Sequence, residues 1–170
     1  MAALVDRVFA ELVPAADRGR IEVVRGELPP ARADLGLIRQ VWQNLLSNAV
    51  KFSAGRETAR IEISARREAG RVVYQVRDNG VGFRPRDAGR LFGIFERLHS
   101  SREFEGSGVG LALVARILAR HGGGAGAEGE EGVGAMIWFW LPEEETAMRP
   151  SSGSETAAPP RPQDAARGAQ

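Results

Sequence analysis

The chain alternates between helical and strand periodicities, and that alternation restricts it to a layered architecture of helices on a sheet. Residues 2 to 18 place Leu4, Val5, Val8, Phe9 and Leu12 at helical spacing. Ile21, Val23 and Val24 form a short β-type run, after which Pro29-Pro30 interrupts the backbone. A long helix is predicted from Leu35 to about Phe52, with Asp34 as N-cap and Leu37, Ile38, Val41, Leu45 and Ala49 on its apolar stripe. Ile61-Glu62-Ile63 and Val72 to Val76 read as two strands joined by a turn near Glu68-Ala69-Gly70. Residues 78 to 90 carry turn chemistry, and Leu91 to Leu98 reads as a short helix. Val109 to Arg120 reads as a second long helix, stopped by Gly122-Gly123-Gly124. Met136 to Leu141 is an unbroken apolar run and reads as a buried strand. The order predicts an α+β sandwich with helices packed on one face of a mixed sheet.

With 170 residues the chain has room for one buried core. From Met148 onward Pro, Ser, Ala and Gly dominate, so residues 148–170 are expected to be a disordered tail behind a domain spanning 1–147. The 23 basic residues nearly balance 22 acidic ones, which argues against nucleic acid or a membrane surface as partner. No cysteine is present, which excludes disulfides, thiol catalysis and thiolate metal sites, and two histidines are too few for a histidine-rich metal site. The start of the chain lacks the pattern of a signal peptide, and no apolar run approaches the ~18 residues of a membrane span. A cytoplasmic location is expected, for a whole protein or for one piece of a larger one.

Several short constellations bear on chemistry. Asn44, Asn48, Lys51 and Phe52 fall at i, i+4, i+7 and i+8 of the first long helix and therefore share a face. Lys51 is the only lysine in a chain that otherwise uses arginine. A compact ammonium beside two amides suits phosphate with a bound divalent cation, since a neutral amide oxygen ligates Mg²⁺ without repelling phosphate. The same face also suits two ordinary solvated asparagines. Asp78-Asn79-Gly80-Val81-Gly82-Phe83 follows a strand directly, and a tight turn there leaves the Asp78 carboxylate at the strand's end, where it can accept a hydrogen bond from an exocyclic amine such as that of adenine. A plain turn capped by Asp fits equally. Gly106-Ser107-Gly108-Val109-Gly110-Leu111 opens a helix in the manner of an anion site, or else forms a flexible connector. It matches neither the dinucleotide fingerprint nor the P-loop. Phe92 and Phe95 suit the core or the base of a lid, and Arg97 suits a phosphate or plain solvent.

Taken in order, these segments resemble the ATP-binding catalytic domain of sensor histidine kinases, in the Bergerat-fold GHKL superfamily. QNLLSNAVKF resembles its N box, DNGVGF its first glycine box, LFGIFERLH its F box and GSGVGLALVARILARHGG its second glycine box with the following helix. GVGAMIWFWLP is similar to the closing strand, and RLHSSREFEGSGVGLA is most similar to phytochrome-type kinases. The resemblance covers roughly residues 1 to 142. It implies a two-layer α/β sandwich: a mixed, mostly antiparallel sheet with three main helices on one face and a mobile ATP lid. It further implies ATP and Mg²⁺ as cofactors. Asn48 would be the Mg²⁺ ligand, Asn44 would support the metal and phosphate site, Lys51 would contact phosphate and Phe52 would sit by the nucleotide. Asp78 would bind the adenine amine in a pocket shaped by Gly80, Gly82 and Phe83. Gly106, Ser107, Gly108, Val109, Gly110 and Leu111 would close over the phosphates, and Arg97 would meet the γ-phosphate.

ATPase branches of the superfamily carry a water-activating Glu where this chain has Asn44, which is no general base at neutral pH. The resemblance therefore implies phosphotransfer with poor hydrolysis. The acceptor histidine of the family lies in a separate dimerisation domain, within a His-acid-Leu-Arg-like motif that neither His99 nor His121 matches. The implied partners are that histidine-containing domain and a downstream response regulator, and a monomer is expected here. The alternative is a nucleotide-binding docking module without phosphotransfer of its own. Relatives have a β-branched strand after the HGG sequence, whereas this chain has Gly122 to Gly126 with one alanine among the glycines, so that strand is expected to be weak or frayed. Ala135 stands where relatives often carry a small hydroxyl residue.

Overall fold

The structure is a computed structural model, and it describes residues 1–14, 17–68, 70–93 and 108–143. The segment expected to form the lid, with Phe95, Arg97, His99, Gly106 and Ser107, lies outside the described residues, as does the tail expected at 148–170. Among the described residues three α-helices, α1 (Ala2–Leu12), α2 (Leu35–Ser53) and α3 (Gly110–Arg120), accompany five strands. The strands are β1 (Ile21–Arg25), β2 (Ala59–Glu68), β3 (Arg71–Asp78), β4 (Gly124–Glu130) and β5 (Gly134–Pro142). They form one mixed sheet in the order β1-β2-β3-β5-β4, with β1 parallel to β2 and every other pair antiparallel. Parallel neighbours need a crossover, and α2 supplies it.

Helix α2 starts where its cap predicts: the Asp34 side chain accepts a hydrogen bond from the Leu37 N–H at 2.8 Å. Helix α1 is shorter than its apolar spacing predicts. Pro14 disfavours helical backbone at the residue before it, and Val13 is extended (φ −112°, ψ 109°). Pro85–Arg90, within the stretch read as turn chemistry, forms a 3-10 helix, and Leu91–Gly93 follows as turn and bend; the rest of the helix expected over Leu91–Leu98 lies outside the described residues. Proline at the first position of the 3-10 helix favours its start there.

The core lies between the helices and one sheet face. Its centre is Trp42 of α2, edge-on to Tyr74 (5.9 Å) and to Phe139 (5.2 Å), while Tyr74 and Phe139 stack at 5.0 Å. Each such aromatic pair adds about 0.5–1.5 kcal/mol beyond area burial. The Tyr74 hydroxyl donates to the Pro29 carbonyl at 2.6 Å, and burial pushes its pKa up to about 12. His121 ties α3 to α2. Its Nδ1 lies 2.8 Å from the Ile117 carbonyl and its Nε2 accepts the Asp34 N–H at 3.1 Å, so both ring nitrogens are engaged by backbone.

Strand β4 is a correction to the expectation of a weak strand: it pairs with β5 along its full length from Gly124 to Glu130. The reason sits across the pair, on the face away from the helices. Gly126 lies opposite Trp138 and Gly124 opposite Trp140, so each bare glycine is covered by an indole ring. A Cβ on Gly126 would lie 2.4 Å from Trp138 Cζ2. Gly126→Ala is therefore expected to destabilise the fold by about 1–3 kcal/mol by overpacking, although Ala has the better strand propensity. Equilibrium urea unfolding reads this directly, and an unchanged or raised midpoint would mean that the indole moves aside at no cost.

Candidate nucleotide site

The site forms where the end of β3, the C-terminal half of α2 and the start of α3 converge. Asp78, the last residue of β3, is 8% exposed. Its Oδ1 accepts the Gly80 N–H at 2.9 Å, and the carboxylate also accepts the backbone N–H of Ala135 on β5. Burial raises its pKa from 3.8 to about 6, against the pull of those two donors. The turn beyond it is packed backbone to backbone. A Cβ on Gly80 would lie 2.6 Å from the Phe52 carbonyl oxygen, and the Val81 N–H donates to that same oxygen at 3.1 Å.

Gly82 has φ +64°, and a Cβ there would lie 1.9 Å from the Glu130 carbonyl oxygen. The close approach of the β4–β5 hairpin thus demands glycine at 82 whatever ligand binds. Gly82→Ala is expected to cost about 3 kcal/mol or more, from backbone strain and the clash together. Thermal unfolding tests it, and a loss under about 1 kcal/mol would contradict the packing argument.

Along α2 the face predicted from sequence is intact: Asn44, Asn48, Lys51 and Phe52 are all half-buried. Lys51 Nζ lies 4.3 Å from the centre of the Phe52 ring. Asn44 donates to the Gln40 carbonyl at 2.8 Å, and its Oδ1 faces Gly110, where a Cβ would sit 2.4 Å away. Gly110 is the first residue of α3, and Gly108 before it has φ +71°. The α2 face therefore reaches from the Asp78 turn at Phe52 to the glycine-rich start of α3 at Asn44, about 12 Å along the helix axis. Leu111 is half-buried and packs against the core, while Val109 is 37% exposed. Phe83 is buried, and a Cβ on Gly129 of β4 would lie 2.6 Å from its ring, which gives it a core role.

Residues 33–145 match the family described as Histidine kinase-, DNA gyrase B-, and HSP90-like ATPase. The chain belongs to that family. It is 36% identical over 139 residues to the phytochrome-like protein Cph1 of Synechocystis, covering 82% of this chain and 18% of that protein. Among solved structures it superposes on full-length ShkA in complex with AMPPNP with a TM-score of 0.68 at 35% identity, covering 82% of this chain and 29% of that one. It superposes on the mycobacterial sensor histidine kinase MprB with a TM-score of 0.72 at 27% identity, covering 84% and 95%. The likeness is to the ATP-binding catalytic domain of sensor histidine kinases, and the chain spans less than a fifth of the phytochrome-like relative. Among the described residues no helix is long and apolar enough to cross a membrane.

Two residues hold the Asp78 turn in ways that motif reading does not give. Asn79 pins the Asp78 turn to β2: its Oδ1 accepts the Arg60 N–H at 2.9 Å and its Nδ2 donates to the Thr58 carbonyl at 3.0 Å. Arg56, in the loop after α2, donates to the carbonyls of Asn79 and Gly80. The turn residues Asn-Gly signal only that a turn exists. Nothing in the local sequence points to an arginine that lies 23 residues earlier.

Proposed function

We propose that this chain binds ATP with Mg²⁺ and positions the γ-phosphate for transfer to a histidine on a separate dimerisation domain, as the catalytic domain of a two-component sensor kinase. The observation that carries the reading is the α2 face: it joins a buried carboxylate turn at one end to a glycine-rich helix start at the other. An elongated ligand with an amine-bearing base and a polyphosphate fits that polarity. Asp78 receives the exocyclic amine of adenine, and Phe52 lies beside the base. Lys51 meets phosphate, as do the Gly110 end of α3 and, by the family resemblance, Arg97, Gly106 and Ser107. The free amides and the dipole of a helix N-terminus favour anions.

The donor set fits a divalent cation carried by nucleotide. Among the described residues no three His, Cys, Asp or Glu side chains cluster into a protein-only metal site. Asn48 offers an amide oxygen, and Mg²⁺ accepts a few protein oxygens completed by phosphates and water. When bound, the ion neutralises charge on the transferring phosphoryl group. The protein itself orients the phosphates, and where ATPase branches of the superfamily carry a water-activating Glu this chain has Asn44, which is no general base at neutral pH. Positioning and charge neutralisation then dominate catalysis.

The phosphate acceptor is placed on the histidine-containing dimerisation domain and the onward recipient is a response regulator, in the cytoplasm, without nucleic acid or membrane contact by this segment. Residues 1–147 constitute the catalytic domain in this reading and 148–170 a tail. Calorimetric titration with a non-hydrolysable ATP analogue, with and without Mg²⁺, tests it. Saturable, Mg²⁺-enhanced binding is expected, and a folded chain that binds nothing would overturn the reading. Binding without phosphotransfer to any histidine domain would instead leave a nucleotide-dependent docking module.

A further inference from the structure

We infer that Arg56 is a positioning residue for the base end of the site: it fixes the two peptide planes that aim the Asp78 carboxylate. The inference rests on the nucleotide reading of that carboxylate. Arg56 Nε donates to the Asn79 carbonyl at 2.6 Å, and the N–H at the other end of the same peptide, that of Gly80, donates to Asp78 Oδ1 at 2.9 Å. Arg56 Nη2 donates to the Gly80 carbonyl at 2.8 Å, and the N–H of that second peptide, that of Val81, donates to the Phe52 carbonyl at 3.1 Å. Two successive peptide units are thus gripped at both ends, by the guanidinium on one side and by Asp78 and Phe52 on the other. Because a peptide unit is planar and rigid, fixing its carbonyl fixes the direction of its N–H.

The same Nη2 also donates to the Gly132 carbonyl, in the β4–β5 hairpin. Gly132 returns the tie by donating its N–H to the Val81 carbonyl at 2.7 Å. Arg56 therefore locks the Asp78 turn to the hairpin whose strand β5 supplies the Ala135 N–H on Asp78. A planar fork of five donors can hold carbonyls of two loops at once, which the single ammonium of lysine does poorly. Bonds from a charged donor are also about twice as strong as neutral ones and polarise the amides behind them.

The experiment compares the native chain with Arg56→Lys and Arg56→Met by calorimetry with ADP and with AMPPNP across pH 5 to 8, beside thermal unfolding without nucleotide. Native binding of both ligands establishes the site, and its absence would defeat the nucleotide reading whatever Arg56 does. Given native binding, Arg56→Met is expected to weaken ADP and AMPPNP equally, by about tenfold or more, because the base is common to both. Its pH midpoint for binding is expected to move upward, since a slackened Gly80 N–H holds the Asp78 carboxylate less well. Arg56→Lys is expected to fall between the two, and it decides the matter if Arg56→Met does not fold. Native affinity in the folded variants, or weakened affinity with an unmoved pH midpoint, would reduce Arg56 to a scaffold residue and overturn the inference.

Discussion

Asp78→Asn is expected to weaken binding of an ATP analogue roughly a hundredfold while making the fold more stable at pH 8. Two backbone donors, from Gly80 and Ala135, already aim at this carboxylate. A carboxylate has lone pairs left for an adenine amine, whereas asparagine has one acceptor oxygen and an amino group that opposes any further donor. Leaving buried donors unmatched costs on the order of 3 kcal/mol, hence the factor of ~100.

The stability gain follows from the raised pKa. The native carboxyl titrates near 6 and its ordinary value is 3.8, so between those values the folded chain binds the proton that the unfolded chain has lost. Stability carried by this group therefore falls as pH rises through that window, and above about 6 the buried charge is a standing cost. Asparagine mimics the neutral form, and its amino group offsets part of the benefit. The variant is expected to be more stable by about 1–2 kcal/mol at pH 8, with the difference closing at pH 4. Denaturant titrations at the two pH values, together with calorimetry, read both effects. Affinity within threefold of native would remove Asp78 from the ligand site, and a variant less stable at pH 8 would show that the carboxylate is needed structurally. In the native chain, affinity is expected to fall as pH drops below about 6, because protonation removes acceptor capacity and the negative charge that the amine meets.

Asn48→Ala is expected to lower phosphotransfer by roughly 10²–10³-fold, the usual loss when a preorganised electrostatic contact to a transferring group is removed. The readout is labelled phosphate on a helical domain that carries the acceptor histidine, supplied in trans. Binding of the analogue without Mg²⁺ is expected to change little, and the enhancement by Mg²⁺ is expected to disappear. That pattern separates a metal-positioning amide from a general loss of fold. Equal weakening with and without Mg²⁺ would place Asn48 against the nucleotide itself. Undiminished phosphotransfer would take it out of the site.

Features with local causes follow from the order of residues alone. Asp34 caps α2 because a short polar side chain three residues before Leu37 can reach its N–H. Asn44, Asn48, Lys51 and Phe52 share a face because a helix repeats every 3.6 residues, and Asn79-Gly80 must turn because of its backbone preferences. The glycine-rich motifs in order also sufficed to recognise the family. Features that depend on partners far along the chain emerge only once it is folded. A glycine-rich strand holds because Trp138 and Trp140 lie across from Gly126 and Gly124. Gly82 is required because the carbonyl of Glu130 occupies the space of a side chain. Phe83 belongs to the core because it rests on Gly129. Arg56 reaches carbonyls at positions 79, 80 and 132. Spacing along a chain reports neighbours on one helix or one turn. Which side chain fills the space above another strand, and which donor meets a distant carbonyl, depends on the packing of whole elements, and only the folded molecule brings those together.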